Sequence, residues 1–162
     1  MKSCRILALF LFFVAFTMPI AAQFAPDFTA FDAEGRAHRL SDYRGGVVLI
    51  SVWSAQRSEC LAQKTALSQW LLEAQPIDLT VLFVNIDLDE QQWLRYVQQD
   101  ELPPGSRHLG VSDGLKSDFA AQYAIGKVPR YILVNAAGYI VQANAPAPGT
   151  ALATLIQEAL GQ

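Results

Sequence analysis

The chain has 162 residues, with 12 Lys and Arg against 15 Asp and Glu and a formal net charge of −3. That length holds one domain with a real core and not two comfortable ones. An acidic balance, with no basic run interleaved with aromatics, excludes a nucleic-acid-binding protein.

Lys2 and Arg5 precede an unbroken apolar run from Ile6 to Phe16, followed by Thr17-Met18-Pro19-Ile20-Ala21-Ala22. A membrane-spanning helix needs roughly 20 apolar residues, whereas this run is shorter, meets Pro19 and ends in small residues. Residues 1–22 therefore read as a secretory signal peptide cleaved after Ala22, with an uncleaved anchor as the rival reading. The expected mature domain is 23–162, exported to a periplasm or other extracytoplasmic space, with no stable membrane anchor. Cys4 lies ahead of the apolar run, is not placed for lipid attachment and leaves with the signal. The loss of Lys2 and Arg5 takes the charge from −3 to −5 and leaves Cys60 as a solitary cysteine. An oxidising compartment usually holds cysteines in pairs, yet the expected mature form has a single one, so no intramolecular disulfide is possible here.

Along the mature chain, Phe28 to Phe31 and Arg36 to Arg39 flank Ala33-Glu34-Gly35 and predict a small hairpin. Val47 to Val52 and Thr80 to Ile86 are rich in β-branched residues and barely alternate, as strands covered on both faces do. Between them, Arg57 to Glu73 carries Cys60, Lys64, Leu67 and Leu71 at helical spacing, and Pro76 stops it. This is a βαβ unit. A helix from about Asp89 to Gln99 would turn Trp93, Leu94 and Val97 inward, and another fits around Ser117 to Tyr123. Asp87-Leu88-Asp89-Glu90 lacks the ligand count of a calcium loop and suits helix capping, with Asp89 as N-cap and Gln92 three residues on. Arg130 to Asn135 and Tyr139 to Asn144, separated by Ala136-Ala137-Gly138, allow an antiparallel hairpin. After the stiff linker Ala145-Pro146-Ala147-Pro148-Gly149, Thr150 can cap a last helix whose stripe is Leu152, Leu155, Ile156, Ala159 and Leu160. The order is βαβ, then ββα, in an α/β fold around a mixed central sheet.

Within this order, Ala25-Pro26-Asp27-Phe28, Leu40-Ser41-Asp42-Tyr43-Arg44-Gly45, Val52-Trp53-Ser54-Ala55 and Tyr123-Ala124-Ile125-Gly126-Lys127-Val128-Pro129 resemble the ResA and TlpA redoxins. The likeness extends through Ala137-Gly138-Tyr139-Ile140-Val141 and covers nearly the whole mature chain. It implies a thioredoxin-like fold and descent from extracytoplasmic thiol–disulfide oxidoreductases. In that family the first long strand leads into Trp-Ala-Ser/Thr-Trp-Cys-x-x-Cys. Here the segment reads Trp53-Ser54-Ala55-Gln56-Arg57-Ser58-Glu59-Cys60. The resemblance thus sets Arg57 at the attacking cysteine, Cys60 at the resolving one and Gln56 at the second tryptophan. The first thiol must attack as a low-pKa thiolate and the second must resolve the mixed disulfide; arginine does neither.

The resemblance also sets Val128-Pro129 at the family's cis-proline, opposite the cysteine motif, where the backbone before the proline pairs with a bound peptide. The plain alternative is a proline that only shapes the loop. Cys60 reads either as a small buried core residue or as a reactive monothiol. Peroxiredoxins also use one cysteine, but they want Pro and Thr/Ser at places where this chain has Trp53 and Arg57. His38 and His108 lie in separate segments, read as surface or strand residues, and do not make a zinc site with Cys60. Trp53, Trp70 and Trp93 read as core. No metal is expected, and no cofactor, since there is no phosphate-binding loop and no Gly-x-Ser-x-Gly elbow. Arg57 at a helix start opposes the helix dipole, so a solvated position, Glu59 or an anionic ligand should hold it. If Arg130 bordered the same cleft, the two guanidinium groups would form a cationic cup beside Cys60.

Two functions follow from this reading. One is an exported module that binds a protein or peptide partner in the cell envelope through Arg57, Val128, Pro129 and Arg130, including an anionic group on it, without ordinary dithiol exchange. The other is a redox enzyme acting through Cys60 alone, by monothiol–disulfide exchange or weak peroxidase chemistry.

Overall fold

The computed structural model describes residues 23–74 and 78–161; the expected signal peptide lies outside the described residues. The strands are β1 (Thr29–Phe31), β2 (Ala37–Arg39), β3 (Val47–Trp53), β4 (Leu79–Asn85), β5 (Ser106–Gly110), β6 (Arg130–Val134) and β7 (Ile140–Ala145). The helices are α1 (Ser58–Ala74), α2 (Glu90–Val97), α3 (Asp118–Gln122) and α4 (Thr150–Leu160). The seven strands form one mixed sheet in the order β2-β1-β5-β4-β3-β6-β7. Strands β3, β4 and β5 run parallel, and β6 lies antiparallel to β3. The βαβ-then-ββα order around a mixed sheet is thus built as the residue pattern implies, in the thioredoxin-like arrangement that the resemblance implies, with the β1–β2 hairpin added at one edge.

Every residue of β3 is buried, which is why its apolar run does not alternate. The buried residues of α1 are Cys60, Lys64, Leu67 and Leu71, one stripe at helical spacing. Asp89 caps α2, accepting from Gln92 N at 3.0 Å, and Ser117 Oγ caps α3 by accepting from Ala120 N at 3.1 Å. The expected cap of the last helix is corrected: Gly149 stands at the N-cap without a side-chain bond, and Thr150 is the first helical residue. A glycine cap leaves the first amide groups of α4 without a side-chain oxygen. Strand β5 has no counterpart in the sequence reading, because Ser-Arg-His-Leu-Gly carries neither alternation nor β-branching. It is a strand through its pairing with β4 and β1.

A 3-10 turn, Gly114–Lys116, follows β5. Gly114 has φ +52°, and a Cβ there would stand 2.5 Å from the Ile86 carbonyl oxygen. The turn is thereby held close against the end of β4. Gly114→Ala should lower stability by roughly 1–3 kcal/mol, the range for a strained left-handed residue, read from the urea midpoint.

Candidate functional site

The site lies where β3 and β4 end and α1 begins. Trp53, 1% exposed, closes β3, and its carbonyl accepts from Ile86 N at 3.1 Å. The chain then turns through Ser54–Arg57 into α1, with Arg57 N donating to Ser54 O at 3.3 Å. What pins this turn is Asp87. Its carboxylate accepts from Ser54 Oγ, from Ala55 N at 2.6 Å and from Asn85 Nδ2 at 2.8 Å. Asp87 N in turn donates to Asn85 Oδ1 at 2.9 Å. Three donors satisfy one buried-side carboxylate, which makes it a firm staple between two loops. The sequence reading assigned the Asp87–Glu90 run to helix capping. That holds for Asp89, while the role of Asp87 was missed, since only the folded chain brings Ser54 to it.

Cys60 sits in the first turns of α1, 1% exposed and free. Burial pushes its thiol up; a backbone hydrogen bond from Ser54 and the charge of Arg57 pull the other way without prevailing, and Glu59 and Asp87 add to the rise. At neutral pH this is a protonated, enclosed thiol and not a nucleophile. Tyr131 lies beside Cys60 on the same side of the sheet.

Arg57 is exposed at the mouth of this turn. The Val128–Pro129 bond is cis, and Val128 is buried. Arg130, one residue before Tyr131 in β6, points to the opposite face, as strand alternation requires. There its Nη1 donates to Ala124 O at 2.6 Å, and its Nε and Nη2 donate to Ala143 O at 3.1 and 2.9 Å. The double-arginine cup is therefore corrected: the guanidinium of Arg130 is committed to two backbone carbonyls, away from Cys60. The cation that shares a cleft with Arg57 is Lys116. Their depression, of about 450 Å³, is also lined by Ser54, Ile86, Leu88 and Leu115.

His38 and His108 fall in different places, as expected of strand residues. His38, in β2, bonds Asp32 at 3.0 Å and Tyr43 at 2.9 Å. His108, in β5, is buried and bonds Asp100 Oδ2 at 2.8 Å. The same oxygen accepts from Lys64 Nζ, so α1, β5 and the segment after α2 meet at one carboxylate. Lys64 is 2% exposed. Its ammonium lies over the rings of Phe83, Tyr96 and Trp53, with centroid distances of 4.7, 5.5 and 5.7 Å. In this cluster Lys64 and His108 are buried and Asp100 is partly exposed. Among the described residues, no group of His, Cys, Asp and Glu could hold a metal ion.

A model of the AhpC/TSA family matches residues 21–143. The thiol-disulfide oxidoreductase ResA of Geobacillus kaustophilus (strain HTA426) is 31% identical over 135 residues, 81% of this chain and 72% of that protein. The ResA of Geobacillus thermodenitrificans (strain NG80-2) is 33% identical over 75 residues, 46% of this chain and 43% of that protein. The match thus spans less than half the length of the second relative. A solution structure of a thiol:disulfide interchange protein from Bacteroides sp. has a TM-score of 0.68 at 26% identity, covering 87% of this chain and 90% of that one.

Proposed function

The chain belongs to the AhpC/TSA family as a ResA/TlpA-like redoxin, and on that premise we propose that it is an exported module that binds a protein or peptide partner without ordinary dithiol–disulfide exchange. The observation that carries this reading is the pairing of Arg57 with a buried Cys60. The residue at the attacking position has no thiol, and the remaining thiol is enclosed and held protonated. A mixed disulfide at Cys60 would have no internal partner to resolve it. Export rests on the basic and apolar start of the sequence; among the described residues no helix is long and apolar enough to cross a membrane. The partner is expected in the cell envelope, met by Arg57 and by the backbone at Val128 and Pro129, with an anionic group directed at Arg57. The rival enzyme working through Cys60 has against it the burial of that thiol.

Four measurements test the reading. In an insulin-reduction assay with dithiothreitol, the protein should add nothing to the uncatalysed rate; turnover that disappears in Cys60→Ser would overturn the proposal. Native Cys60 should resist alkylation at pH 7 and react only on unfolding. Arg57→Cys should place a new thiol within one helical turn of Cys60 and gain a disulfide under mild oxidant, turning the scaffold back toward exchange. Intact mass of the exported protein checks the start at Gln23.

A further inference from the structure

The most exposed large apolar side chain among the described residues is Leu88, at 76%, directly after the Asp87 staple. Leu115 and Phe31 are also open, at 49% and 42%. Burial of such side chains is favourable, and their grouping at one place marks an interaction surface. Leu88 is more than an isolated leucine, because it forms a ridge between two depressions. Both share Asp87, Leu88 and Asp113 as walls.

The two sides of the ridge differ in charge. On one side lie Arg57 and Lys116, neither of them in an ion pair among the described residues. Of the two carboxylates on the shared wall, Asp87 already has three donors, which leaves Asp113 as the one carboxylate without an ion-pair or hydrogen-bond donor among the described residues facing the two cations on this side. The other depression, of about 590 Å³, runs between the β1–β2 hairpin and the start of α2, over Phe31 and Trp93. Its titratable lining is acidic throughout: Asp32, Glu34, Asp87, Glu90 and Asp113. Arg36 offsets Asp32 and Glu34 from outside, while Glu90 and Asp113 have no ion-pair partner among the described residues.

We propose that these two depressions form one charge-polarised docking groove, which takes a partner segment with an apolar centre over Leu88, an acidic end toward Arg57 and Lys116, and a basic end toward Glu90 and the hairpin. This rests on the partner-binding reading above and extends it by fixing the direction in which the segment lies. A uniformly acidic or basic segment meets like charge at one end, and that mismatch suppresses wrong partners and wrong orientations. Apolar burial over Leu88, Leu115 and Phe31 supplies attraction that is the same for either orientation, so the charges alone choose.

Three short peptides with a common Leu-Ala-Leu centre test this by fluorescence anisotropy: one flanked by Asp on one side and Lys on the other, one by Asp on both, one by Lys on both. The mixed peptide should bind about tenfold more tightly than either of the others. Arg57→Glu should move the preference to the all-Lys peptide, and Glu90→Lys to the all-Asp peptide. Both positions are exposed, and either variant alone is decisive if the other loosens its helix. Equal binding of mixed and all-Asp peptides, indifferent to Glu90→Lys, overturns the polarity and leaves the Arg57 reading standing. No binding by any peptide removes both. Self-association that excludes all three assigns the groove to a second copy of the chain and overturns the proposal.

Discussion

Replacing Lys64 with alanine should destabilise the protein by about 3–5 kcal/mol, the range for breaking a buried ion pair from one side. The ammonium is 2% exposed and bonded to Asp100. Burial pulls its pKa down, against the bond and charge of Asp100. Truncation removes the charge that Asp100 faces, leaves His108 as its hydrogen-bond partner among the described residues, and opens a void beneath Phe83, Tyr96 and Trp53. Total stabilities of about 5–15 kcal/mol make this a loss of much of the fold. Lys64→Met combined with Asp100→Asn fills the space and leaves no unpaired charge, so it should recover most of the loss in urea denaturation. Equal destabilisation of Lys64→Ala alone and of Lys64→Ala combined with Asp100→Asn, which keeps the void and removes the unpaired charge, would show that packing, not charge, is responsible. Since Trp53 leads into the Ser54–Arg57 turn, the single variant should also loosen Cys60 toward alkylation.

The parts of this molecule that follow from short-range pattern were legible in the sequence. The non-alternating runs of β3 and β4 announced a parallel pair covered on both faces, and the stripe Cys60, Lys64, Leu67 and Leu71 announced the buried face of α1. Asp89 was readable as a cap because its partner is three residues away. Long-range pairings were not. Lys64 could be seen to point inward, but Asp100, 36 residues on, could not be matched to it, nor His108 to Asp100 across a further 8. Asp87 and Ser54 meet across 33 residues, for the same reason. Arg130 shows how one alternation decides a site. Tyr131 faces Cys60, so its neighbour faces away, and that parity depends on which side of the sheet α1 covers. The strand β5 was invisible because its partners, and not its residues, make it extended.

Acid should weaken the fold between pH 6.5 and about 4, through His108. Asp100 can only accept a hydrogen bond, so the Nε2 that meets it carries the proton in the neutral ring. The second proton must then go to Nδ1, which is buried and has no hydrogen-bond partner among the described residues. Burial is the main reason the imidazole is held down to about 4; the nearby ammonium of Lys64 adds to it, and the Asp100 charge and hydrogen bond oppose it without prevailing. From the hairpin side, Asp32, Glu34, Arg36 and His38 line a depression that His108 also borders, so the local field is mixed and not purely cationic. In the unfolded chain the ring takes its proton near pH 6.5, while the folded chain refuses it until about 4. Across that window the unfolded state binds more protons, and stability therefore falls as pH falls. The whole difference is worth about 3 kcal/mol and is complete near pH 4. Above pH 6.5 neither state takes the proton and this contribution is flat. His108→Gln keeps a donor for Asp100 and removes the titration, so its stability between pH 7 and 5 should change less than that of the wild type. Lys64→Met should narrow the window from below by letting the folded ring accept its proton earlier. Parallel wild-type and His108→Gln curves, measured by urea unfolding at fixed ionic strength, would show that the acid sensitivity of this protein lies in its carboxylates instead.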